Sequence, residues 1–96
     1  MNAAIYECGD IRLNALTREV WCRRKPIHLS TREFELLLAL MERPGTVLSR
    51  VELQARVFAR EPASNAIDVH LHHLRRKLGA GRIANVRGIG FRMAVP

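Results

Sequence analysis

Three of the chain's four histidines, His70, His72 and His73, fall within one stretch, Asn65 to Leu78 (NAIDVHLHHLRRKL), beside Arg75, Arg76 and Lys77. Imidazoles ligate metals, carry protons in catalysis, or donate to anions and base edges. His70 and His73 are spaced to share an ion one helical turn apart, but no cysteine or acid stands where it would complete a tetrahedral set, so no metal or other cofactor is expected. Catalysis would need a nucleophile with its base, a metal cluster or a phosphate-cradling loop, and none is visible. Gly88-Ile89-Gly90 is a fragment of a dinucleotide fingerprint without the helix that must follow it. The residue set therefore excludes an enzyme and leaves recognition by hydrogen-bond donors and positive charge.

That chemistry needs an element to present it. At about 100° per residue, Ile67, Leu71, Leu74 and Leu78 fall in one narrow sector and predict a helix with an apolar seam. Asn65, Val69, His72, His73 and Arg76 gather on the opposite side. A face rich in donors and positive charge, with one β-branched apolar side chain, suits a helix lying in a DNA major groove. Asp68 sits about 90° from the seam's centre and reads as an intramolecular partner for a nearby arginine, opposing the helix dipole from the first turn.

The whole chain agrees with a polyanion partner. Sixteen basic and nine acidic residues give a formal charge of +7, which makes nucleic acid a natural ligand without by itself separating DNA from RNA or an anionic membrane. From Ser64 onward there are six Lys or Arg (Arg75, Arg76, Lys77, Arg82, Arg87, Arg92) against one acid, Asp68, so the basic excess lies mainly in the C-terminal third. RNA is disfavoured because the few aromatics, Tyr6, Trp21, Phe34, Phe58 and Phe91, sit mostly on strands or core faces and form no stacking platform. Ninety-six residues, 48% of them apolar, suffice for one core and not two. No apolar run resembles a signal peptide or a spanning helix, which gives a cytoplasmic address and no membrane partner as the expectation. Cys8 and Cys22, on strands taken as neighbours, are expected as buried or half-buried free thiols.

The first thirty residues predict four short antiparallel strands: Ile5 to Cys8, Ile11 to Leu13, Glu19 to Cys22 and Ile27 to Leu29, with turns at Gly9-Asp10, Asn14 to Arg18 and Arg23 to Pro26. Ser30-Thr31-Arg32-Glu33 and Ser49-Arg50-Val51-Glu52 both have the capping-box form. The first opens a helix to about Glu42, with Phe34, Leu37, Leu38 and Met41 on its buried face and Leu36 and Leu40 widening it. The second opens a short helix from Arg50 to about Phe58, with Val51, Leu53, Val57 and Phe58 as its apolar set. After a connection from Ala59 to Ala63, Ser64 or Asn65 caps the third helix and Gly79 ends it. Arg82 to Val86 and Phe91 to Met93, around glycines that permit positive φ, form a hairpin with Arg87 at or near its tip. The expected fold class is α+β: a winged helix-turn-helix with an N-terminal four-stranded antiparallel sheet, three helices and a C-terminal β-hairpin wing.

These motifs together resemble a known family, the OmpR/PhoB-type winged-helix effector domain of bacterial two-component response regulators. The resemblance rests on Leu29-Ser30-Thr31-Arg32-Glu33-Phe34-Glu35-Leu36-Leu37, Pro44-Gly45-Thr46-Val47-Leu48-Ser49-Arg50, Ile67-Asp68-Val69-His70-Leu71, Leu74-Arg75-Arg76-Lys77-Leu78 and Val86-Arg87-Gly88-Ile89-Gly90-Phe91-Arg92. His72-His73 before Leu74-Arg75-Arg76 is especially similar to the QseB and PmrA branch. The resemblance implies that the domain spans residues 1–96, that its third helix enters the major groove of promoter DNA, and that Arg87 approaches the minor groove. It also implies head-to-tail pairing on direct repeats, an RNA polymerase contact through the loop Ala59, Arg60, Glu61, Pro62 and Ala63, and a receiver domain answering a sensor kinase in the full-length protein. A chain of this length has no room for the receiver and is expected to be an excised effector domain, monomeric in isolation. It departs from the family's habit at His72 and His73, where a basic side chain is frequent, at Asn85 for threonine, and at Phe58 and Phe91 for Trp and Tyr.

Individual roles follow. Val69 either meets a thymine methyl group or is a surface valine. Asn65 either reaches a phosphate or adenine edge or only caps the helix. His70 flanks the seam and either packs against the core or, as the resemblance suggests, contacts phosphate. His72 and His73 face base edges or phosphates, and since an unperturbed histidine titrates at about 6.5, binding should be tighter near pH 6 than near pH 8. Arg75, Arg76, Lys77 and Arg87 supply charge indifferent to base identity. The rival reading is a winged-helix protein-interaction module that acts through RNA polymerase or another protein by an exposed Phe58 to Ala63 region, without base readout.

Overall fold

The alternation in the first thirty residues becomes a meander in which each strand pairs antiparallel with the next: β1 (Ile5–Cys8), β2 (Ile11–Asn14), β3 (Glu19–Cys22) and β4 (Lys25–Ile27). The structure is a computed structural model that describes residues 4–60 and 66–95. Asn14 Oδ1 accepts from the amides of Leu16 and Thr17, and this short polar side chain turns β2 into β3. The last turn departs from expectation. Arg23 and Arg24 both adopt left-handed backbone, φ 55° and 66°, so the chain reverses in two residues and β4 begins at Lys25 rather than Ile27. Pro26 lies opposite Trp21 on this edge strand, where its missing N–H costs no ladder bond.

Ile11, Leu13, Val20, Cys8 and Cys22 form the sheet's buried face. The cysteines are free and do not stand on neighbouring strands: Ile11 of β2 pairs with Cys8 on one side and Cys22 on the other. Two strand spacings, roughly 9–10 Å, exceed the reach of a disulfide.

Three helices follow among the described residues, α1 (Thr31–Met41), α2 (Arg50–Val57) and α3 (Ala66–Leu78); α1 packs on that face, the end of α3 reaches it where the Leu78 carbonyl accepts from Cys22 Sγ, and α2 packs against α1 and α3. Both capping boxes form as their sequences dictate, with Ser30 and Glu33 satisfying each other's amides at α1 and Ser49 and Glu52 doing so at α2. Phe34, Leu36, Leu37, Ala39, Leu40 and Met41 are buried on α1, while Leu38, expected on the central face, is half-buried at its flank. Val51 is a clearer miss. At 78% exposure it belongs to no core, because it lies two positions, about 200° of helical turn, from Leu53, which with Val57 forms the buried face of α2. Phe58 is the reverse: it ends α2 yet is fully buried, so it offers nothing to a partner.

Gly79, at φ 102°, closes α3 by donating its amide to the Arg75 carbonyl. The wing follows as β5 (Ile83–Val86) and β6 (Gly90–Met93), paired antiparallel around a tip of Arg87, Gly88 and Ile89. It is anchored, because Leu48 and Phe91 exchange both backbone hydrogen bonds, at 2.8 and 2.9 Å. A Cβ on Gly90 would lie 2.0 Å from the Leu48 carbonyl oxygen, so only glycine lets the wing approach this closely.

Candidate nucleic-acid interface

The interface is built on α3, and burial divides that helix as its periodicity requires. Ile67, Leu71, Leu74 and Leu78 are at most 3% exposed. Val69, His72, His73 and Arg76 stand on the exposed side, with Asp68 and Lys77 also exposed at its flanks. Val69 keeps 44% of its surface open to solvent, an apolar side chain partly exposed on the outward face. Asn65 lies outside the described residues, as do Glu61, Pro62 and Ala63 of the connecting loop, whereas Ala59 and Arg60 are described and exposed.

Two candidates on α3 are not simply outward. His70 is half-buried, its ring centroid 5.4 Å from that of Phe58, and its Nδ1 is buried without a hydrogen-bond partner among the described residues. Arg75 turns toward the wing. Its Nε lies 3.4 Å from the Ile83 carbonyl, a long hydrogen bond, and its guanidinium carbon sits 5.8 Å from the Phe91 ring centre. Arg87 stands exposed at the wing tip, preceding Gly88, whose φ of 77° makes the turn, and Ile89, which is 63% exposed.

Sequence reasoning missed the residue that holds the helix's far end. Glu33, at 4% exposure, accepts Lys77 Nζ at 2.6 Å and the Ser30 amide at 3.0 Å, and its other oxygen lies 3.9 Å from His73 Nδ1. Burial pushes its carboxyl up, but the Lys77 hydrogen bond, the Ser30 amide and the charges of Lys77 and His73 outweigh that and leave it below its ordinary value. Its place in a capping box was legible; its second task, gripping a lysine forty-four positions on, was not. Asp68 has the partner expected of it. Arg50 donates to both its oxygens, at 2.6 and 2.8 Å, and this hydrogen bonding lowers the carboxyl's pKa.

Between the start of α2 and the wing lies an open groove of about 400 Å³, bordered by Ser49, Arg50, Val51, Asn85, Arg87 and Ile89. Its two charged groups are arginines. A larger depression, about 550 Å³, lies elsewhere and is bordered by Glu7, Asp10, Arg12, Trp21 and Arg24. Its two carboxylates offset its two arginines, so it lacks the wholly cationic charge of the groove beside the wing. Exposed basic and donor side chains on α3, with a cationic hairpin beside them, define a winged-helix DNA-binding domain.

Comparison with known proteins identifies the family. Residues 24–93 match the family described as transcriptional regulatory protein, C terminal. The response regulator protein PmrA of Pseudomonas aeruginosa is 43% identical over 90 residues, covering 92% of this chain and 41% of that protein. The transcriptional regulatory protein QseB of Escherichia coli O157:H7 is 40% identical over 85 residues, covering 86% and 39%. The DNA-binding domain of Klebsiella pneumoniae RstA, solved in complex with the RstA box, superposes with a TM-score of 0.85 at 26% identity, covering 94% of this chain and 96% of that one. The chain belongs to this family of OmpR/PhoB-type effector domains, DNA-binding regulators of transcription and not enzymes. It spans about two fifths of the length of the PmrA and QseB proteins.

Proposed function

We propose that this domain binds double-stranded promoter DNA sequence-specifically, with α3 in the major groove and Arg87 at the adjacent minor groove. The observation that carries the proposal is the division of α3: an apolar seam at most 3% exposed behind an open face of Val69, His72, His73 and Arg76. Val69 reads a thymine methyl, His72 and His73 meet base edges or phosphates, and Arg76 supplies phosphate charge. Asn65, His70 and Arg75 complete the proposed set, with His70 and Arg75 at the margins where their half-burial puts them.

In the full-length protein the domain is the output of a two-component response regulator, following a receiver phosphorylated by a sensor kinase. Its relatives' description as response regulators supports this. Two copies bind head to tail on direct repeats, and the isolated domain is a monomer. The loop Ala59, Arg60, Glu61, Pro62 and Ala63 touches RNA polymerase, a role that suits the exposed Ala59 and Arg60. A cytoplasmic place of work fits relatives described as response regulators.

Selection of bound sites from a random duplex library, followed by a gel shift against a scrambled duplex, tests the proposal. Enrichment of one motif, lost on scrambling, is the expected result. Equal retention of both duplexes, or binding to RNA polymerase alone, would replace it with the protein-interaction reading, which the full burial of Phe58 already weakens.

A further inference from the structure

Asp68 is a carboxylate on the helix that reads DNA, where every unit of negative charge opposes phosphate. Its Oδ1 and Oδ2 are held by Nη2 and Nη1 of Arg50, the first residue of α2. The same guanidinium lies 5.2 Å from the ring centre of Phe91, and Arg75 of α3 lies 5.8 Å from that ring centre. Phe91 is 3% exposed, pairs with Asn85 across the hairpin and is bonded through its backbone to Leu48, so it is the root of the wing whose tip is Arg87. One carboxylate thus connects, through one arginine, the reading helix to the wing.

Energetics separate this device from the fold. Asp68 and Arg50 side chains are 49% and 55% exposed, and an ion pair so open to water adds little to stability. Opposing the helix dipole from the first turn is one local reason for this acid, and its two-point hold on Arg50 supplies a second. We propose that Asp68 is a positioning residue for DNA binding: it holds Arg50 against Phe91 and so fixes the wing relative to α3, letting both grooves be engaged together. The proposal rests on Arg87 acting in the minor groove. Before DNA arrives, the strut keeps the wing ordered, and binding need not order it.

The test uses Asp68→Asn, which removes a negative charge and frees Arg50. If Asp68 matters only through its charge, the variant binds more tightly. If it positions the wing, the variant binds about fivefold or more weakly to a duplex recovered by selection, amide hydrogen exchange at Arg87 to Ile89 speeds up in the free protein, and the thermal midpoint barely moves. Asp68→Glu, which keeps a carboxylate within reach of Arg50, restores part of the affinity. Unchanged or tighter binding by Asp68→Asn overturns the proposal, and so does unaltered wing exchange whatever the affinity does. Arg87→Ala, measured beside it, judges the minor-groove reading separately: full affinity there removes that role for Arg87, while loosening of the wing by Asp68→Asn is scored on its own.

Discussion

Leu71 and Val69 stand two residues apart on one helix and answer to different surroundings, 1% and 44% exposed. Leu71→Ala leaves a cavity and should cost about 2–5 kcal/mol in urea unfolding. Val69→Ala should move stability by less than about 0.5 kcal/mol while weakening binding to the selected duplex severalfold. Three carboxyls contribute acid sensitivity. Glu33, Glu52 and Asp68 are held below their ordinary values, 4.5, 4.5 and 3.8, by Lys77 with Ser30, by the amide and hydroxyl of Ser49, and by Arg50 respectively. As pH falls the unfolded chain takes up these protons first, so the stabilisation is complete above the ordinary values and disappears as pH drops through the lower, folded ones. Melting temperatures should therefore decline below about pH 5, and Glu33→Gln should flatten that decline more than Asp68→Asn, since Glu33 is buried and Asp68 is half-open to water.

At the scale of elements, the wing joins the body through the core residues Ile83, Phe91 and Met93 and through one pair of backbone hydrogen bonds between Leu48 and Phe91, and the approach of those two backbones depends on Gly90 having no Cβ. Gly90→Ala sets a methyl against a backbone carbonyl, which cannot rotate away as a side chain can. We expect a loss of about 1–3 kcal/mol, read by denaturant unfolding, with hydrogen exchange accelerated across β5 and β6 ahead of α1. The cap of α2 is a smaller matter. Ser49→Ala removes the acceptor for the Glu52 amide and should cost about 1 kcal/mol.

For the whole molecule, net charge overstates what DNA meets. Lys77 is bound to Glu33, Arg82 to Asp10 at 2.7 Å, and Arg50 to Asp68. Arg76 and Arg87 are exposed and form no ion pair among the described residues. If five phosphates were neutralised, log K would fall against log salt with a slope of about −4 to −5. Arg76→Ala should reduce that slope by about 0.9, whereas Lys77→Ala should leave it nearly unchanged and lower stability instead. Titrations of each variant across a salt series distinguish the two, and a Lys77→Ala slope reduced as far as Arg76→Ala would show that the Glu33 grip opens on DNA.

Much of this was written in local order. The seam of α3, both capping boxes, the Gly79 stop and the meander follow from periodicity and from donors a few residues away, interactions whose geometry the backbone fixes once a helix or strand forms. The family resemblance and the outward face of Val69, His72, His73 and Arg76 came from the same information. The sequence could not say that Arg23 and Arg24 would both take left-handed backbone or that Arg75 would turn to the wing. Nor could it pair Lys77 with Glu33 or place Arg50 between Asp68 and Phe91. A helix's own period determines which residues share a face, but which distant group meets a charge on that face depends on how separate elements pack, and only tertiary structure decides that.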